Sequence, residues 1–270
     1  MLRIRVHSSS NLRDGMAVHI LHSDIKRAIT SKGFLFGIIG MALVIILSSL
    51  DAFVMMSRRS LQLQNGYHAQ LVMNALSSDW FTLALPILCA LPFTAAFVDD
   101  IKSGYIKQYL HRTTLFKYIG GKLTACALSG GLVLFAGIVL CYVLAALVFT
   151  PMELAPGDGE TAQPLFAQLL LKAATLFFSG AFWSLAGFTF AALTMSKYMA
   201  YASPFIVYYV LIILNERYFK ELYVLYPKEW LFPSQHWVMG GFGVILLLTV
   251  LCAILCLLFA IIAQRRLANV

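Results

Sequence analysis

Apolar residues fall in six long blocks along this chain, at residues 34–56, 80–98, 123–149, 166–193, 199–214 and 238–263. Shorter polar stretches separate them. A helix needs about 20 mostly apolar residues to cross the hydrocarbon of a bilayer. The pattern therefore predicts an all-α membrane protein with six transmembrane helices, each satisfying its own backbone polar groups. The third, fourth and sixth blocks exceed the minimum, so those helices tilt or run past the bilayer. The fifth is short and contains Pro204. Pro86 and Pro92 in the second block and Pro204 in the fifth predict kinks, because proline lacks the N–H that a helix uses.

A different period precedes the first block. From Met16 to Ile29, the apolar Met16, Ile20, Leu21, Ile25, Ala28 and Ile29 share one helical face. His19, His22, Ser23, Lys26, Arg27 and Thr30 share the other. This predicts an amphipathic helix lying in the membrane interface. The alternative is a tail helix away from the membrane. Running straight into a span favours the interface. The resulting division is a cytoplasmic tail with interfacial helix at 1–33, a six-helix transmembrane domain at 34–263, and a C-terminal tail at 264–270.

Composition agrees. The chain is 60% hydrophobic and 12% charged, with a mean hydropathy of +0.82. Soluble domains carry about 25% charged residues. The net charge of +8 would raise nucleic acid in a soluble protein, but here the cations cluster between apolar blocks. They mark the cytoplasmic side instead. Fourteen of the twenty Lys and Arg fall in the N-terminal segment, the 99–122 loop, at Lys197 and at Arg265–Arg266; five fall opposite. Both termini are then expected in the cytoplasm. No apolar stretch opens the chain as a signal peptide would, so the first span is expected to direct insertion.

Two connections stand out. The 99–122 loop carries Ile101, Tyr105, Tyr109 and Leu110 at helical spacing among basic residues, predicting a short helix and then a turn at His111–Thr114. Its charges suit a docked cytoplasmic partner, or they only satisfy the positive-inside bias. The segment from Asn215 to Trp237 mixes seven aromatics with charges and Pro227 and Pro233. It predicts a short external hairpin, half-dipping or lying on the membrane surface, where rings have one dry and one wet edge.

Reactive chemistry is missing from the pattern. Gly120-Gly121-Lys122 lacks the upstream glycine and the following Ser or Thr of a phosphate loop. No His-Glu-x-x-His and no Gly-x-Ser-x-Gly occurs. Cys89, Cys126, Cys141, Cys252 and Cys256 all lie in apolar blocks and read as packing residues. His19 and His22 on a polar helix face do not make a metal set, so no metal, cofactor or catalytic residue is expected on this chain. Asp51 and Lys172 are the ionisable residues inside the blocks, and both lie near enough to the outer end to snorkel. Small residues mark helix contacts: Gly33 with Gly37, Cys126 with Gly130, Ala127 with Gly131, and Gly180 with Ser184.

The second block runs out through Asp99-Asp100-Ile101-Lys102-Ser103-Gly104-Tyr105, and Thr113 to Lys122 leads into the third. This resembles the permease subunits of ABC-2 type exporters, in which an acid, three residues and a glycine follow the second span and a Gly-Lys opens the third. The motif likeness covers Asp100 to Lys122; the architecture of six spans, interfacial helix and external re-entrant segment covers most of the chain. The family has glutamate where this chain has Asp100. The resemblance implies an ABC-2 (type V exporter-like) fold in a bacterial plasma membrane. It implies a coupling loop at Asp100, Ser103, Gly104, Tyr105, Lys107, Gln108, Tyr109 and Arg112. That loop would dock on a separate ATPase subunit holding ATP and Mg, and a second permease copy or a related permease would complete the pathway. Cargo in the family spans peptides, drugs and lipids. Two other readings fit the residues. A stand-alone carrier or channel should show buried charges or internal repeats, which the pattern lacks. A non-transporting anchor for a cytoplasmic protein could use the same loop.

Overall fold

A computed structural model describes residues 21–50, 63–106, 114–154, 165–234, 237 and 239–267. Ten α-helices and no strand occur among them: α1 (Leu21–Ile29), α2 (Lys32–Ser48), α3 (Tyr67–Leu76), α4 (Asp79–Ala90), α5 (Ala96–Lys102), α6 (Leu115–Phe149), α7 (Leu165–Thr194), α8 (Lys197–Arg217), α9 (Pro227–Leu231) and α10 (Gly241–Leu267). Among the described residues α6, α7, α8 and α10 are long and apolar enough to cross a membrane; six spans result if the bent pairs α1–α2 and α3–α4 each count as one. The chain is a helical membrane protein.

The helices pack around α7. Of its most apolar window, 78% is buried. α7 and α6 approach each other closely. A Cβ built on Gly130 would lie 2.3 Å from Ser184 Cβ, and one on Gly180 would lie 2.6 Å from the Gly130 carbonyl oxygen. Only hydrogen at these positions lets the backbones meet, which is how helices gain packing contacts in lipid. Cys126 and Ser184 close the same seam: the Ser184 hydroxyl donates to the Cys126 carbonyl at 3.1 Å. Gly131 abuts the ring and carbonyl of Phe177.

Four of the six apolar blocks coincide with the long helices α6, α7, α8 and α10, and several helix ends differ from the block ends. α6 begins at Leu115, before the apolar block, and α8 extends from Lys197 to Arg217, past both ends of the fifth. Polar residues at these ends still obey helical hydrogen bonding, and hydropathy does not report it. The second block is not one helix. α4 ends at Ala90, residues 91–95 form turns around Pro92, and α5 restarts at Ala96. Pro86 and Pro204, expected to kink their helices, lie inside α4 and α8, each of which continues as one element. α3 falls where hydropathy shows no span. It folds because Ala69, Leu71, Val72, Ala75 and Leu76 share a face that buries against the bundle. It meets α4 at a bend of 73°.

α1 and α2 meet at 49°. Ser31 builds the elbow. Its hydroxyl oxygen accepts from the Phe34 amide at 3.1 Å, capping α2, and the hydroxyl group reaches the Pro92 carbonyl at 3.1 Å. Gly33 sits against that turn, since a Cβ there would lie 2.3 Å from the Leu91 carbonyl oxygen. Gly37 continues the face toward Val133 and Leu88. The elbow thus seats in the break of the second span. Residues 16–20 of the predicted amphipathic helix, residues 51–56 of the first block with Asp51, and the end of the C-terminal tail lie outside the described residues.

Gly130→Ala is expected to destabilise the chain by about 1–3 kcal/mol through overpacking against Ser184 and the Gly180 backbone. Gly120→Ala, where a Cβ meets nothing within 4 Å, should be neutral or stabilising by up to about 1 kcal/mol. Thermal unfolding of both variants in detergent reads the contrast, and equal shifts would contradict the close approach.

Candidate functional site

Ala28, Phe97, Ile106, Tyr118, Ile119, Phe259 and Ala263 form one apolar cluster, so α1, α5, the start of α6 and the last turns of α10 meet at one end of the bundle. Lys197 pairs with Asp99 there, and Arg266 donates to the Leu193 carbonyl at 2.6 Å. This is the basic end.

Inside it lies a knot of four charges. The Lys122 ammonium donates to Asp24 Oδ1 at 2.7 Å and lies 2.7 Å from Asp100 Oδ2. Arg27 Nη1 donates to Asp100 Oδ1 at 2.9 Å. The Tyr118 hydroxyl donates to Asp100 Oδ2 at 3.1 Å. Lys122 and Asp100 are almost wholly buried, Asp24 is buried, and Arg27 is half exposed. The rings of Phe93 and Tyr118 flank the ammonium at 5.2 and 5.5 Å from their centroids. Two carboxylates meet two cations, so the knot carries no net charge.

Local sequence sets each donor. Tyr118 and Lys122 are one turn apart on α6, and both face inward with Ala125, Cys126 and Ser129. Asp24 lies on the apolar side of α1 beside Ile25 and Ala28, so burying that side buries the carboxylate. Asp100 ends the buried face of α5. Just beyond, the Ser103 amide donates to the Asp99 carbonyl at 2.9 Å and the Gly104 amide to the Ile101 carbonyl at 3.1 Å. Gly104 has φ +73°, a left-handed turn that stops the helix where a side chain would be strained.

Withdrawing charges from water costs several kcal/mol per ion, and mutual attraction with good hydrogen bonds offsets it. The knot is therefore poor evidence of stability and good evidence of fixed geometry. It joins α1, the end of the second span and the start of the third, the two flanks of the loop that sequence marked for coupling. Ser103 and Tyr105 are exposed beside Gly104. Lys107, Gln108, Tyr109 and Arg112 lie outside the described residues.

Sequence marked Asp100 and the Gly-Lys of the third span but gave no reason to pair them. It overlooked Asp24 and Tyr118 and placed Arg27 only on a polar face. Asp24 did leave a signal, as an acid within an otherwise apolar helix face.

The opposite end has its own polar cluster. Glu153 follows α6 and caps α3 from 85 residues away: the His68 amide donates to Oε1 at 2.8 Å and the Gly66 amide to Oε2 at 3.0 Å. His68 Nδ1 lies 2.7 Å from Oε1, and Nε2 lies 3.2 Å from the Tyr142 hydroxyl. Burial pushes the Glu153 carboxyl up, but these donors outweigh it and hold it below the usual carboxylate range. Nearby, Trp230 of α9 is buried in the core and packs edge-on to Phe182 at 5.3 Å, beside Trp183. α9, within the segment expected to form a hairpin, thus packs on α7. The Lys172 ammonium sits 3.8 Å from the centroid of Phe232 and donates to the Leu231 carbonyl.

Compared with known proteins, the chain matches no protein-family model, no curated protein and no solved structure.

Lys122→Met should cost about 3–5 kcal/mol, because it strands the buried Asp24 carboxylate and leaves buried Asp100 with Arg27 as its one cation. Arg27→Gln, at a half-exposed position, should cost about 1 kcal/mol or less. Denaturation in detergent measures both, and equal costs would mean that Lys122 is not the centre of the knot. A second expectation concerns acid. A carboxyl whose folded pKa is depressed stabilises fully above its unfolded pKa and loses that contribution as pH falls through the folded value. Glu153→Gln should therefore lower the melting temperature at neutral pH and flatten its dependence on pH below about 4.5. An unchanged acid profile would remove Glu153 from the account.

Proposed function

We propose that this chain is the membrane subunit of an ATP-driven exporter of the ABC-2 type, in the cell membrane with both termini cytoplasmic. ATP and Mg belong to a separate ATPase subunit, and the chain itself catalyses nothing. The observation that supports this reading is the pairing of Asp100 and Lys122 at 2.7 Å, with Asp24 and Arg27 bound to the same two side chains. Those two residues open and close the motif in which the likeness to the family lies. Their contact anchors both flanks of the loop that would receive the ATPase. A loop pinned at both ends to a buried ionic knot transmits a push to the spans; a loop free at either end would absorb it. Ser103 and Tyr105 stand exposed where a partner would touch, and tyrosine serves well as an interface anchor. Movement of cargo, a peptide, drug or lipid, would follow from rocking of two permease bundles against each other.

Purification of the tagged chain from its native cells in mild detergent should bring an ATPase subunit with it. Tyr105→Ala should weaken that association without unfolding the chain. Asp100→Asn should leave the ATPase bound and expression near normal, because Lys122 keeps Asp24, while lowering ATP-dependent transport roughly tenfold, about 1.4 kcal/mol of coupling. A chain that comes out alone, or an Asp100→Asn variant with unchanged transport, would contradict the proposal.

A further inference from the structure

α2 and α6 touch and then part. A Cβ on Gly37 of α2 would lie 3.0 Å from the Val133 side chain, and one on Gly137 of α6 would lie 2.7 Å from Met41 Cβ. These two glycines hold the helices together. Beyond them, toward the end opposite the ionic knot, α6 turns Cys141, Leu144, Ala145 and Val148 to the same side. There a cavity of about 220 Å³ opens between the last turns of both helices, beside α3.

The cavity has a dry wall and an open mouth. Leu71 of α3 and Cys141 and Ala145 of α6 form the wall and are buried. Ile46, Leu50, Leu144 and Val148 border the mouth, and each is at least 40% exposed on the outside of the bundle. The mouth therefore faces the bilayer. The volume would hold about seven waters. Each buried water needs about two to four polar partners. Among the described residues Ser49 is the one lining side chain with an oxygen, and its hydroxyl already donates to the Ile46 carbonyl at 2.8 Å. Water is excluded, and a void would cost the lining its dispersion contacts on one side.

We infer that this cavity is a resident site for one acyl chain of a phospholipid in the leaflet opposite the basic end. The mouth opens on lipid tails, so tails are what reach it. A methylene takes up nearly the room of a water, so about seven methylenes fill the space. An α-helix, about 10–12 Å across with its side chains, does not enter. Depth places the polar end of the occupant. The lining reaches Leu50 and Phe149, where α2 and α6 end, and extends back to Cys141, about 12 Å along α6. A lipid whose headgroup stays at the surface can thus send its chain in along α6 toward Cys141. The held chain packs α2, α3 and α6 together as a fixed part of the fold, apart from any cargo. The site lies away from the ionic knot and needs no ATPase, so this inference and the exporter reading can fail separately.

The test uses the full chain in phosphatidylcholine–phosphatidylglycerol vesicles that contain phosphatidylcholine with a diazirine midway along one acyl chain. After irradiation, mass spectrometry locates the label. Leu257 on α10 is 66% exposed and reports contact with bulk lipid. Met41 and Ile138 are buried and do not line the cavity, so they report background. Cys141 and Ala145 are buried too, yet they should take label several-fold above Met41 and Ile138. Ala145→Phe, which fills the cavity, should lower label at Cys141 several-fold and leave Leu257 unchanged. Leu144→Trp, at the exposed rim, should do the same and serves as the test if Ala145→Phe does not fold. A parallel sample carries a free fatty acid with the same diazirine. Label confined to exposed residues would overturn the inference. So would Cys141 label that survives both substitutions, or Cys141 labelled by the fatty acid and not by the phospholipid.

Discussion

Three charges drawn out of water at the basic end, with half-exposed Arg27 beside them, must satisfy one another, and much of the surrounding geometry follows from that. Lys122 lies well within the reach of α6, Asp100 ends α5, and Asp24 and Arg27 belong to α1. None of the three buried ones, Lys122, Asp100 and Asp24, can be left alone without a cost of several kcal/mol. Their mutual contact therefore fixes where α1 lies and where the second span must end. The elbow at Ser31 and the turns around Pro92 are the backbone solution: one hydroxyl caps α2 and reaches the break in the second span. Gly104 then turns the chain away as soon as Asp100 has been placed.

The two ends of the bundle are held by different physics. At the basic end, ion pairs with no net charge set positions and tolerate little substitution. At the opposite end, aromatic packing and helix capping do the work. Glu153 supplies acceptors to the first amides of α3, which no residue of α3 itself provides. Trp230 inserts α9 among Phe182 and Trp183, and Lys172 binds the Leu231 carbonyl at the end of that short helix. Between them, α7 holds the middle through backbone contact with α6 at Gly130 and Gly180. For the proposed exporter, this arrangement places a stiff, charge-locked lever at one end and a separately clasped element at the other.

α8 stands apart from both. It is packed on one side against α7, where Tyr208 meets Trp183 at 5.7 Å, and open on the other, where its side chains are more polar than lipid contact favours.

Block length and charge distribution determined the class of this protein. The long apolar runs that became α6, α7 and α10 could be read without coordinates because a bilayer imposes length and apolarity on each span independently. The small residues at Gly130 and Gly180 were also legible, since close packing of helices needs them in any register. Only the tertiary structure decided what the charges do. The partners of Asp100 and Lys122 lie on helices 73 and 98 residues away in α1, and hydropathy carries no information on such pairings. It also decided that the second span breaks at residues 91–95 and that α3 exists at all. Both depend on contacts with other helices: a turn survives where Ser31 satisfies a freed carbonyl, and a weakly apolar helix survives where its buried face and its Glu153 cap come from distant parts of the chain.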